Sequence, residues 1–223
     1  MSNIIITSEN KNLDMNQREV WDSISNQDCD KRKKPFFKVE EFLLGKNGKI
    51  LDLGCGSGRN MVSGDFEYYG VDFSKKHIRS AKKIAKEKNI KAKFFELDAE
   101  NLDKNIFRDE MFDYGLFIGT LHCLESADAR ENALKGFYRV LKNGGEGLIS
   151  VWNSEDKRFN GLKGEVYMSW KKEETDYMRF YYIYEKNEFI DLLKKTGFKI
   201  MDIFENDSYD RFSKKNLIVR VKK

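Results

Sequence analysis

The stretch Lys49-Ile-Leu-Asp-Leu-Gly-Cys-Gly-Ser-Gly-Arg59 limits this chain more than any other segment. Lys49 to Leu53 has the length and apolar content of a buried strand, and Gly54, Gly56 and Gly58 then turn the chain where a helix should start. Glycine lacks Cβ, so it can adopt positive φ and let a ligand lie against backbone N–H groups. A strand that runs into such a turn is the form of a nucleotide-type binding site in an α/β sheet. The spacing narrows the ligand. A dinucleotide fingerprint needs Gly or Ala three positions after its second glycine. That place holds Arg59 counted from Gly56, and Met61 counted from Gly58. A pyrophosphate cradle is disfavoured, and no G-K-[ST] is present for a P-loop.

The surrounding chain alternates strand and helix signals. Strands are expected at Lys49–Leu53, Glu67–Val71, Ile90–Leu97, Met111–Ile118 and Glu146–Trp152. Ser74 is placed to cap a helix whose apolar face is Ile78, Ala81, Ile84 and Ala85. A second helix is expected over Ala127–Leu141, stopped by Asn143-Gly-Gly145, and a third over Glu185–Thr196, stopped by Gly197. Gln17 to Leu44 reads as helices broken near Pro35. Phe198–Glu205 and Asn216–Lys222 read as a closing hairpin. Strands alternating with helices imply right-handed crossovers and a doubly wound sheet. The expected architecture is α/β, with five parallel strands and a C-terminal antiparallel hairpin. Residues 1–14 are polar and aperiodic and read as a flexible start. Residues 15–223 then form a single domain, with an aromatic and charged insertion at about 153–182.

Composition excludes several classes. With 40% hydrophobic residues and 13% aromatics the chain can bury a core, so global disorder is not expected. No apolar run approaches the ~20 residues of a membrane span, and Met1–Thr7 lacks the basic start of a signal peptide. The expected location is cytoplasmic. Cys29, Cys55 and Cys123 form neither C-x-x-C pairs nor zinc spacings, so free thiols and no metal site are expected. A net charge of +4 does not by itself indicate nucleic acid, although Lys31-Arg-Lys-Lys34 is a dense basic run. The lysines from Lys82 to Lys93 read as a solvated helix face.

Asp52, Gly54, Cys55, Gly56 and Gly58 together resemble the first motif of class I S-adenosylmethionine-dependent methyltransferases, acidic-x-G-x-G-x-G. Ligands of open α/β sheets bind beyond the carboxyl ends of the strands, so chemistry is sought there. Asp72, followed by Phe73, ends the second strand 20 residues after Asp52, the interval at which a carboxylate meets ribose hydroxyls. The resemblance implies that Asp98 holds the adenine amine, with Ala99 at the ring edge. It also implies that Phe117 and Ile118 flank the methionine end of the cofactor, that the bound cofactor is S-adenosylmethionine, and that the product is S-adenosylhomocysteine. The seven-stranded Rossmann-like sheet is the fold that family implies.

Four further patterns resemble the tRNA wobble-uridine carboxymethyl methyltransferases, a family that includes the methyltransferase domain fused to an AlkB-type tRNA hydroxylase. They are Trp21-Asp-Ser-Ile-Ser25 with Lys31–Phe37, Leu121-His-Cys-Leu-Glu-Ser126, Leu148-Ile-Ser-Val-Trp152, and Arg179-Phe-Tyr-Tyr-Ile-Tyr184. The chain departs from that family with Trp21 for Tyr, Phe36 for Trp and His122-Cys123 for a His pair. The resemblance implies tRNA as substrate and a small zinc-containing activator subunit as a heterodimer partner. The carboxylate of 5-carboxymethyluridine is ionised at neutral pH and needs no general base. It needs a cation and aromatic surfaces for a splayed base, and Arg179, Arg32, Tyr181 and Tyr182 are of those types. His122 either touches substrate or packs beneath the cofactor. A small-molecule acceptor and a non-catalytic scaffold are the other readings.

Overall fold

The computed structural model describes residues 5–7, 16–28, 34–159, 161–172, 174–205 and 216–223. Three strands begin the main sheet: β2 (Gly48–Leu53), β3 (Phe66–Asp72) and β4 (Ala92–Glu96). They are followed by β5 (Phe112–Ile118), β6 (Leu141–Trp152), β9 (Lys199–Phe204) and β10 (Asn216–Lys222). Their spatial order is β4-β3-β2-β5-β6-β10-β9. The first five are parallel, and β10 pairs antiparallel with both β6 and β9. This is the doubly wound seven-stranded sheet that the strand and helix signals imply.

Period-two alternation fills both faces of the sheet. Leu51, Leu53, Phe117, Ile149, Val219 and Val221 face one core. It is covered by α4 (Ala127–Val140) and α5 (Lys186–Thr196). Ile50, Tyr68, Leu116, Leu148 and Ile218 face the other, under α2 (Phe37–Leu43) and α3 (Lys75–Glu87). Close approach of α4 needs a bare backbone on β5. A Cβ at Gly115 would lie 2.4 Å from the ring of Phe137.

Two expectations change. Residue 141 is already a strand residue paired with Phe112, so Asn143-Gly-Gly145 does not follow a helix end as a loop. It lies inside β6, where the register with β5 shifts between Phe112 and Tyr114. The C-terminal residue fixes this irregularity, since Gly144 N–H donates to the Lys223 carbonyl and Lys223 N–H to that of Gly145. The second change concerns 153–182, read as an insertion without assigned structure. It contains the antiparallel strands β7 (Gly164–Lys172) and β8 (Thr175–Ile183). Within the N-terminal stretch read as flexible, Ile5–Thr7 (β1) pairs with Val166–Met168 of β7, giving a second sheet of order β1-β7-β8.

Strand β8 is an edge strand, and its outer backbone groups need partners. One side chain of α1 (Gln17–Asp28) provides them. The Gln17 amide donates to the Met178 carbonyl at 3.0 Å and accepts from Phe180 N–H at 2.8 Å, as a neighbouring strand would. Gln17 is 6% exposed, so water cannot substitute. Replacing Gln17 with Leu leaves both backbone groups buried and unpaired, at ~1–3 kcal/mol each. The expected result is a urea unfolding free energy lower by ~2–5 kcal/mol with an unchanged m-value. Wild-type stability in the variant would show that α1 is not bolted to β8 in this way.

Candidate active site

The glycine turn follows directly from β2. Gly54, Gly56 and Gly58 have φ of +76°, +52° and +80°, which L side chains adopt only with strain. The turn is held by Gly54 and Cys55 N–H groups, both donating to the Val71 carbonyl at 2.8 and 2.9 Å. At Gly54 space is also limiting, because a Cβ there would lie 2.1 Å from Thr120 Oγ1. At Gly56 nothing lies within 4 Å of a Cβ, so its backbone opens to the cleft.

Asp72 organises this turn. Its Oδ2 accepts from Gly56 N–H and its Oδ1 from Ser74 N–H, both at 2.9 Å. His77 Nδ1 lies 3.4 Å from Oδ1. Ser74 is the N-cap of α3, accepting from His77 N–H, so Asp72 is not spent as a helix cap. The second lone pair of Oδ2 is left for a ligand hydroxyl, and that of Oδ1 is shared with His77.

These residues border a cleft of about 530 Å³, in the size range of small-ligand sites. Gly54, Gly56, Asp72, Phe73, Asp98, Ala99 and Ile118 all line it, and so belong to one site. Asp52, Cys55, Gly58 and Phe117 are not among its lining residues. Asp52 is fully buried and accepts a short hydrogen bond from the Tyr68 hydroxyl. Cys55 is buried, with its thiol pushed well above its ordinary value by that burial. Phe117 is a core residue packed on Phe137.

Several cleft residues carried no sequence signal. Arg18 of α1 donates to both oxygens of Asp98 at 2.6 Å and lies 5.2 Å over the Phe73 ring. Asn16, Gln17, His77 and Thr120 also line the cleft. Asn16 and Gln17 lie just before and at the start of a helix whose position is a tertiary fact, invisible in local spacing. Trp21 and Glu125, flagged only as parts of family patterns, line the cleft as well.

The remaining candidates gather beneath the second sheet. Trp21 and Cys123 line the cleft and also pack against that cluster. Arg179 is 7% exposed and sits among ring faces, 4.6 Å from Trp170, 5.4 Å from Tyr181 and 5.8 Å from Trp21. Among the described residues no carboxylate pairs with it, and its Nε and the neighbouring Trp170 Nε1 are buried without acceptors. His122 is 1% exposed and packs beside the stacked Trp152–Tyr181 pair, 4.9 Å from Trp152 and 5.8 Å from Tyr181. It packs in the core and does not reach the cleft surface. Burial and the Arg158 charge drop its pKa to about 3, while burial pushes Cys123 up to about 12. Arg32 lies outside the described residues.

The comparisons agree with this geometry. The model of the methyltransferase domain matches residues 44–208, well over half of the chain. The chain belongs to the methyltransferase-domain family. This methyltransferase is 26% identical to the tRNA (carboxymethyluridine(34)-5-O)-methyltransferase of Schizosaccharomyces pombe, over 89% of this chain and 95% of that one. It is 33% identical to the Arabidopsis thaliana protein of the same name over 62% of this chain, but spans only 33% of that protein's length. Its fold matches a Burkholderia thailandensis 1,6-didemethyltoxoflavin-N1-methyltransferase with a TM-score of 0.70 and 20% identity, covering 92% of this chain and 86% of that one.

Two buried groups of the methyltransferase titrate in opposite senses. Burial, opposed by the Tyr68 hydrogen bond and reinforced by the Asp72 charge, lifts Asp52 to about 7. A carboxyl raised by folding contributes fully below its unfolded pKa and loses that contribution as pH climbs through its folded value. His122, lowered by folding, contributes above its unfolded pKa and loses that contribution as pH falls. The two oppose each other from about pH 4 to about pH 6.5, so Asp52 must be isolated by difference. The stability of wild type relative to Asp52→Asn is expected to fall by ~2–4 kcal/mol between about pH 4 and pH 7, read from urea midpoints. A pH-independent difference would mean that native Asp52 has an ordinary carboxyl pKa.

Proposed function

We propose that this methyltransferase uses S-adenosylmethionine to esterify the carboxylate of 5-carboxymethyluridine at the wobble position of tRNA. The observation that carries the acceptor is Arg179, a buried cation without a carboxylate partner among the described residues. Burying an unpaired charge is costly, and aromatic faces offset only part of that cost. An anionic substrate group supplies the missing partner. Similarity to the Schizosaccharomyces pombe protein along nearly all of both chains supports the same acceptor.

The cleft fits the methyl donor. Gly56 opens its backbone to it, Asp72 retains a lone pair for a hydroxyl, and Asp98 and Ala99 stand where an adenine edge would be read. Bound there, S-adenosylmethionine would supply an electrophilic methyl group. Arg179 holds one carboxylate oxygen through its guanidinium and leaves the other exposed for reaction. Trp21, which lines the cleft, offers a surface against which a splayed base can stack, and Tyr181 packs behind it. No general base is required, in keeping with the low pKa of His122 and the high pKa of Cys123. A small-molecule acceptor would be expected to occupy an enclosed apolar pocket beneath β7 and β8, where Phe159, Val166, Met168 and Ile183 instead pack together.

The partners of this reading are tRNA and a small zinc-containing activator that adds to an open sheet edge. Both β4 and β9 are edge strands, and β9 exposes Met201 and Ile203. Among the described residues no helix is long and apolar enough to cross a membrane. The cytoplasm is the compartment this reading assigns.

The test is incubation with methyl-labelled S-adenosylmethionine and tRNA carrying 5-carboxymethyluridine, with and without the activator. Label released as methanol by mild base is the expected outcome. Failure in both arms, with cofactor binding intact, rejects the acceptor. Arg179→Lys loses the planar fork and the permanent charge, and should lower kcat/KM for tRNA by ~10–100-fold while leaving S-adenosylhomocysteine affinity unchanged. Wild-type kinetics in that variant would remove Arg179 from the site.

A further inference from the structure

Helix α3 carries Lys75, Lys76, Arg79, Lys82, Lys83 and Lys86 against a single acid, Glu87. Six cations less one acid give thirteen residues a net +5, more than the +4 of the whole chain. At ~100° per residue all six fall within an arc of about 120°. All six are exposed, while Ile78, Ala81 and Ala85 bury the opposite side. Lys75, Arg79 and Lys83 form a straight i,i+4 row along the helix.

Such a row opposes its own folding, since like charges at i,i+4 cost ~0.2–0.5 kcal/mol per pair. Little in the protein compensates. Lys83 reaches Glu87 only at 3.9 Å, and Lys76 donates to the Asp22 carbonyl at 3.0 Å. Among the described residues Lys75, Arg79, Lys82 and Lys86 make no ion pair. A solvated helix face would interleave both signs, as the Glu131–Lys135 pair does on α4.

The stripe also begins at the active site. Ser74 caps α3 immediately after Asp72 and Phe73, and His77 in its first turn lines the cleft. From there the cations continue for about 17 Å, roughly 6 Å apart within the row, a spacing comparable with successive phosphates of a nucleic-acid strand.

We infer that the exposed face of α3 is the docking rail for the phosphate backbone of the RNA substrate, which rests on the tRNA reading above. Charge complementarity chooses the occupant: a continuous, single-signed row matches a polyanion of regular spacing. The rail holds the RNA by its backbone without reading sequence, leaving recognition of the base to the aromatic cluster around Arg179.

The test separates binding from methyl transfer by using fluorescently labelled tRNA without the wobble modification. The triple variant Lys75→Gln, Arg79→Gln, Lys83→Gln avoids every residue of the cleft. It is expected to weaken tRNA binding at least ~10-fold at low salt and to make the log–log salt slope shallower by about two. S-adenosylhomocysteine affinity should stay at the wild-type value, and with modified tRNA KM should rise while kcat holds. Unchanged affinity and slope in the folded variant overturn the rail. Wild-type protein that binds phosphatidylserine vesicles through this row but binds no tRNA overturns it too, along with the tRNA reading. Wild-type protein whose tRNA binding depends on the row, yet which forms no base-labile ester, upholds the rail and rejects the carboxylate acceptor alone.

Discussion

The Asp72 carboxylate is the interaction on which the site depends. Its two oxygens hold the N–H groups of Gly56 and Ser74, so one side chain fixes the glycine turn after β2 and the first turn of α3 after β3. Hydrogen bonds to a charged acceptor are worth ~1.5–3 kcal/mol each, about twice the neutral value. Positive φ at three glycines makes the turn soft in the unfolded chain. The Val71 carbonyl anchors its beginning, the Thr120 hydroxyl donates to the Gly54 carbonyl, and Gly58 N–H closes it onto the Cys55 carbonyl, all neutral bonds. A carboxylate at the end of the adjacent strand therefore does two things with one set of atoms. It shapes the backbone that faces the cleft, and on the proposed reading it presents its remaining lone pair to the cofactor.

Helix α1 links this cofactor side to the second sheet. Gln17 fills the open edge of β8, and the next residue, Arg18, reaches Asp98 in the cleft. Farther along, Trp21 meets Tyr181 at 5.9 Å and the Ser74 hydroxyl donates to Asp22. Magnitude separates these contacts. The Arg18–Asp98 pair is 47% exposed on both sides, and such pairs contribute ~0–1 kcal/mol. The Gln17 bonds are buried, and losing them strands two backbone groups. Gln17 thus sets where α1 sits. Arg18 can leave Asp98 at low cost, as an adenine amine would require.

The parallel sheet was legible because its signals are local. Strand periodicity, the Ser74 cap and the Gly197 stop are each written within a few residues, and Gly197 does adopt φ of +111°. The cleft residues Asp72, Phe73, Asp98 and Ala99 follow strand ends, so topology located them once the strands were counted. What escaped depends on distant partners. Strand β6 begins at Leu141 because Lys223 from the far end of the chain completes its irregular start. Gln17 looks like an ordinary polar helix residue until β8 is placed beside it. The second sheet joins residues 5–7 to 164–183, and no window of sequence contains both. His122 shows a subtler limit. Its position after β5 suggests chemistry, but burial against the Trp152 and Tyr181 rings leaves it neutral and enclosed.

That enclosure bears on how the site treats charge. Three groups here are held away from their ordinary solution state: Asp52 with its carboxyl raised, His122 with its imidazole lowered, and Arg179 buried without a counter-ion among the described residues. The first two can shed their cost by changing protonation at accessible pH. Arginine has no such escape, since its delocalised guanidinium keeps its proton in proteins. Among the described residues the desolvation of Arg179 is offset only by ring faces. A lysine in its place could escape by losing its proton, and the cation that the proposed acceptor requires would then be gone. On the proposed reading, permanence of charge is what would let a dry aromatic box bind an anion, and arginine is the side-chain type that provides it.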